Sequence, residues 1–130
     1  MTLVWGFEDG ADAYATAILE RMPELQAHVP PLWPLEVANA LLVGERRRRI
    51  TPAETARFLA ILATFPITVD DETVAHVWLD TMHLARAQNL SSYDAAYLEL
   101  ALRGGLPLAA LDGKLKTAAQ AVGVPLFEVA

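Results

Sequence analysis

The feature that most restricts the fold of this chain is an alternation of two kinds of segment. Short apolar stretches ("HVP" at 28–30, "ITV" at 67–69, "LPLAALD" at 106–112) are separated by runs that carry helix start signals. Short apolar strands alternating with helices of about 10–15 residues build βαβ units around a parallel sheet. Residues 11–26 set Ala11, Tyr14, Ala15 and Ile18 at three- to four-residue spacing, which predicts a helix. Pro34 suits the first turn of a helix running to about Arg48. At 51–54, "TPAE" combines Thr51 as cap, Pro52 at the first position and Glu54 closing a capping box, so a helix is expected to end near Phe65, before Pro66. Asp70-Asp71-Glu72 open another helix to about Gln88. Further helices are expected at 92–103 and 114–121, and a last strand at 125–129. The prediction is one α/β domain over residues 1–130, with a small, well-covered parallel sheet. One strand is missing from the pattern: the chain begins almost in a helix, and nothing before that helix reads as a strand.

Composition narrows the function classes. At 130 residues with 54% apolar side chains, the chain is long enough to bury about two-thirds of its unfolded surface around a sizeable core. The net charge of −6 argues against a mainly electrostatic nucleic-acid binder, although not against an enzyme that handles nucleic acid through a bound cation. The lack of cysteine removes disulfides, thiolate metal sites and cysteine nucleophiles. No apolar run approaches the roughly 18 residues of a membrane span, and the N-terminus has no basic leader, so a cytoplasmic protein is expected.

Three acids stand apart from the surface charges. Glu36 interrupts the apolar run "LWPLEVANALL", Asp94 follows "LSSY" and opens "AAYLELAL", and Asp112 ends "LPLAAL". A carboxylate buried without partners costs several kcal/mol, so each needs either water or a cation beside it. Each also lies where an apolar segment gives way to a helix. In open parallel sheets the ligand crevice lies beyond the carboxyl ends of the strands, so the three acids are expected to converge there. Asn39, three residues after Glu36, shares its helix face. Hard divalent ions such as Mg²⁺ or Mn²⁺ prefer such an oxygen-rich set. Taken singly, each acid has a plain structural reading. Asp94 closes a capping box with Ser91, Asp112 caps the next helix, and Glu36 gains roughly 0.3–1 kcal/mol from the helix dipole. The apolar context of all three favours a shared site.

Other motifs carry less. The arginines of "ERRRR" at 45–49 are 100° apart on a helix and cannot share one face, so a solvated helix end is the better reading. His28, His76 and His83 have no zinc spacing, although His76 and His83 are close to one face. Trp33, Trp78, Tyr93 and Tyr97 read as core or interface aromatics. A serine nucleophile at 91 or 92 lacks both a nearby histidine and a G-x-S-x-G elbow.

"PLWPLEVANALL", "LSSYDAAYLELALRGGLPLAALD" and "KLKTAAQAVGVPLF" resemble, in order and along nearly the whole chain, the PIN-domain family, and within it the VapC-like toxins of bacterial toxin–antitoxin pairs. Leu90 to Asp112 is the most specific stretch. The resemblance implies a Rossmann-like three-layer α/β/α fold with a parallel sheet, and a Mg²⁺- or Mn²⁺-dependent endoribonuclease activity on RNA. It also implies a homodimer, and a small antitoxin that inserts a segment into the active-site groove. Glu36 matches the family's acid in the helix after the second strand, Asp94 the acid of the "YDA" motif and Asp112 the acid ending the next strand. These three would be the catalytic and metal-binding set, with Asn39 and Ser91 at auxiliary polar positions.

The sequence departs from the family at its start. The family opens with a hydrophobic strand ending in Asp, in a pattern like "VVDAS", whereas "MTLVWGFEDGADAYA" resembles the family's segment just after that Asp. The expectation is therefore that the first strand and the first acid are missing, through a late start or with a partner chain filling the gap. Asp9 and Asp12 align to the later loop and helix. A rival function is a degenerate, non-catalytic PIN fold that only dimerises or binds an antitoxin.

Overall fold

The computed structural model describes residues 2–5, 26–110 and 112–127. In chain order these form β1 (Thr2–Trp5), β2 (Gln26–Val29), α1 (Trp33–Arg46), α2 (Pro52–Leu62), β3 (Ile67–Val69), α3 (Thr73–His76), a π-helical turn (Val77–Thr81), α4 (Met82–Gln88), α5 (Ser92–Gly104), β4 (Leu108–Ala109) and α6 (Gly113–Ala121). The strands make one parallel sheet in the order β3-β2-β1-β4.

The sheet corrects the expectation that the first strand is absent. Thr2–Trp5 occupies its central position, in register with β2 (Leu3 opposite Ala27) and with β4 (Val4 opposite Leu108). Between two parallel neighbours an empty slot would leave backbone donors and acceptors unpaired on both sides. The apolar segment "TLVW" fills that slot, and Val4 is wholly buried there. Four residues at the head of the chain show no periodicity, which is why the strand is not visible in the sequence. No acid lies within β1, and Glu8, Asp9 and Asp12 lie outside the described residues.

Most of the other elements form for the predicted reasons. Thr51 and Glu54 make the reciprocal capping box, each bond 3.1 Å, and Pro52 starts α2. The α-helical part of α2 stops at Leu62, and single i→i+3 bonds from Thr64 and Phe65 tighten the chain before Pro66. β3 coincides with "ITV". The helix expected from Asp70 to about Gln88 starts only at Thr73, and it is broken into α3 and α4 by the π turn, which the sequence pattern does not signal. Among the described residues of "LPLAALD", Leu108 and Ala109 alone join the ladder. The strand expected at 125–129 reduces to a parallel bridge from Leu126 to Leu108, with residues 128–130 outside the described set. The helix expected at 11–26 also lies outside it, save that Gln26 begins β2. The arginines at 46–49 are all exposed, as expected of a solvated helix end.

The core is organised around α5. Ser91 caps its start, Gly105 in the left-handed region (φ 63°) ends it, and Ala95 through Ala101 are buried. This helix packs against β1 and β4. Its Asp94 is thereby fixed at the helix N-terminus, above the carboxyl ends of the strands.

Candidate functional site

Each of the three acids stands at the start of a helix, as the sequence predicts, although only Glu36 and Asp112 follow a strand directly. Glu36 is in the first turn of α1, directly after β2; Asp94 is in the first turn of α5; Asp112 follows β4 and caps α6. All three are partly buried. Burial pushes the Glu36 carboxyl above its ordinary value, and the Asp94 charge pushes it the same way, while a hydrogen bond from Tyr97 opposes both. Burial likewise raises Asp94, and Asp112 adds to the shift, with Lys114 pulling it back. Asp94 is therefore the middle of a chain of like charges, each felt by the next.

The side chains of Glu36 and Asp112 are nevertheless engaged by other partners. The Tyr97 hydroxyl donates to Glu36 Oε1. Asp112 Oδ1 accepts from the backbone N–H of Lys114 at 2.8 Å, the cap that its sequence position also allows. Ser91 Oγ accepts from the Asp94 N–H at 3.1 Å, so Ser91 is a helix cap in this structure. Asn39 is exposed one turn after Glu36. Among the described residues no group of three His, Cys, Asp or Glu side chains converges so as to hold a metal ion.

The sequence marks Tyr97 only as an aromatic of the core or an interface. It is buried, as is Trp33, whereas Trp78 and Tyr93 are exposed. The signal for its polar role is spacing: in "YDAAY" it follows Asp94 by three residues and so shares its helix face.

A second polar cluster lies elsewhere. His76, Asp80, His83, Glu99 and Arg103 line a cavity of about 530 Å³ between α5 and the segment from α3 to α4. His76 Nδ1 is 2.7 Å from Asp80 Oδ2 and 3.9 Å from Glu99 Oε1. Arg103 joins Glu99 (2.9 and 3.1 Å), Asp70 (2.8 Å) and Glu72 (3.5 Å), tying α5 to the end of β3. The guanidinium holds the Asp70 carboxyl below its ordinary range. This cluster braces the helix that carries Asp94 and Tyr97. No helix among the described residues is long and apolar enough to cross a membrane.

Comparison with known proteins agrees with this architecture. No curated protein matches the chain. Among solved structures, the crystal structure of PAE2754 from Pyrobaculum aerophilum is similar to it, with 25% sequence identity and a TM-score of 0.64, over 91% of this chain and 87% of that one. The family model for the PIN domain matches residues 2–121, a span that starts with the central strand and takes in all three acids. By that match the chain belongs to the PIN-domain family, whose members are in general metal-dependent nucleases.

Proposed function

We propose that this chain is a single PIN domain acting as a Mg²⁺- or Mn²⁺-dependent endoribonuclease, the VapC-like toxin of a toxin–antitoxin pair. The observation that carries the proposal is the pair Glu36 and Asp94: two half-buried carboxylates, each destabilised in its charged form by burial and by an acidic neighbour, at the strand ends of a parallel sheet. A chain gains nothing in stability from such a pair. It gains a site of negative potential that a cation relieves.

The donor set fits a hard divalent ion. Glu36 and Asp94 are oxygen donors, Asp112 is the next acid along, and Mg²⁺ commonly binds one or two protein carboxylates while keeping several waters. The lack of a three-ligand group among the described residues is compatible with that mode. When bound, such an ion neutralises charge on a phosphodiester and makes an attacking water more acidic. The protein's own part is placement. α1 carries Glu36 and α5 carries Asp94, each in its first turn, and the Ser91 cap fixes the turn that carries Asp94. Lys114, a cation whose charge reaches Asp94, stands at the start of α6 where a backbone phosphate of RNA would meet it. Asn39 would orient a ligand from the exposed side of the same opening. By the family resemblance the working assembly is a cytoplasmic homodimer with a small antitoxin seated in the groove.

A second reading, a binding-only PIN fold, is favoured by one observation: β1, "TLVW", supplies no acid. One experiment separates the two. RNA cleavage by the purified chain is expected with Mn²⁺, to be abolished by EDTA and to be lost in Asp94→Asn. Cleavage that survives EDTA would overturn the metal-dependent reading, and a chain that binds antitoxin but cleaves no RNA at any Mn²⁺ concentration would establish the second.

A further inference from the structure

We infer that Tyr97 is a positioning residue for the cation site: its hydroxyl holds Glu36 so that one carboxylate oxygen is engaged and the other is left for the ion. The inference rests on the metal reading above and adds to it a residue outside the acidic set.

Three observations carry it. The Tyr97 side chain is buried and its hydroxyl donates to Glu36 Oε1, a contact between residues 61 apart in sequence that joins α5 to α1. Tyr97 lies three residues after Asp94, so one face of α5 delivers both an acid of the site and the group that fixes the opposing acid. Glutamate has a long side chain, and such a side chain loses conformational entropy when a ligand immobilises it. A hydroxyl already bonded to Oε1 removes part of that freedom before any cation arrives. Partners that orient a metal ligand in this way typically affect affinity by about 10–100-fold, although they never touch the ion.

Mn²⁺ affinity measured by titration calorimetry on wild type, Tyr97→Phe, Glu36→Gln and the double variant tests this, with far-ultraviolet circular dichroism to check that each is folded. Tyr97→Phe is expected to weaken Mn²⁺ binding by about tenfold. The double variant is expected to bind no more weakly than Glu36→Gln alone, because Tyr97 acts only through Glu36. Wild-type affinity in Tyr97→Phe, with weakened binding in Glu36→Gln, would overturn the positioning role and leave the metal reading standing; so would losses that simply add in the double variant. Unchanged affinity in Glu36→Gln would overturn the metal reading itself. Should Tyr97→Phe fail to fold, the wild-type chain carrying ¹³Cζ-labelled tyrosine gives a mutation-free test. The chain has only three tyrosines, so Tyr14→Phe and Tyr93→Phe assign the Tyr97 resonance. That resonance is expected to move with Mg²⁺ occupancy, and a resonance that stays fixed to saturation would overturn the inference.

Discussion

Replacing Arg103 with Met probes the brace that holds α5 in place. Glu99 is 3% exposed, and its carboxylate takes two bonds from the Arg103 guanidinium, with His76 as a more distant neighbour at 3.9 Å. Removing one partner of a buried ion pair costs about 3–5 kcal/mol, because the other charge is left uncompensated. Two features place this case at the lower end. Arg103 is itself about a fifth exposed, and its bond to Glu72 involves a side chain largely in water, where a pair contributes at most about 1 kcal/mol. Asp70 keeps its bond from Thr73 Oγ1. The expected loss is about 3 kcal/mol, which for a domain of this size lowers Tm by roughly 10–15 °C. Urea unfolding at pH 7 and calorimetric melting measure it. Glu99→Leu in the same chain is expected to restore most of the loss, since it removes the charge that Arg103→Met strands. A loss below about 1 kcal/mol, or a double variant no better than the single, would refute the view that Glu99 depends on this guanidinium.

Three further outcomes are expected. Asp94 has a folded-state pKa above its unfolded value, so its charged form opposes folding above that raised pKa, and the effect disappears below the ordinary value of 3.8, where both states are protonated. Asp94→Asn is thus expected to stabilise the metal-free protein at pH 7, with the gain shrinking as the pH falls, as read from denaturant midpoints across pH. Asp70 has the opposite sign: its lowered pKa contributes stability that is complete above 3.8 and is lost as pH falls through the folded value, so Asp70→Asn should flatten the acid limb of the stability curve below pH 3.8. Thr51→Ala removes the cap bond to the Glu54 N–H and is expected to lower the urea midpoint by an amount equivalent to about 1 kcal/mol without changing the slope.

The sequence shows a feature when the chemistry behind it is local. The Thr51–Glu54 box and the caps at Ser91 and Asp112 each depend on residues within four positions, and all are readable; the strand at Ile67–Val69 pairs with distant β2 but is marked locally by its apolar run between Pro66 and Asp70. Glu36, Asp94 and Asp112 are readable as candidates because a carboxylate in an apolar segment needs an explanation. The features that escape are set by distant pairing. The central strand at Thr2–Trp5 is held by β2 and β4 rather than by its own four residues, and the Tyr97–Glu36 bond joins two helices that no periodicity connects. The π turn at Val77–Thr81 has no marker residue, and it leaves Thr81 Oγ1 buried with no hydrogen-bond partner among the described residues. Asp112 shows why spacing alone is insufficient: one carboxylate is both a helix cap and a member of the acidic chain, and its spacing fits either role.

The most direct test of the central claim is anomalous diffraction from crystals of the chain soaked in Mn²⁺. A peak is expected between the Glu36 and Asp94 carboxylates, on the side nearest Asp112, with Tyr97 still bonded to the Glu36 oxygen that faces away from the ion. Mn²⁺ bound elsewhere on the molecule, with no peak between these two acids at saturating concentration, would contradict it.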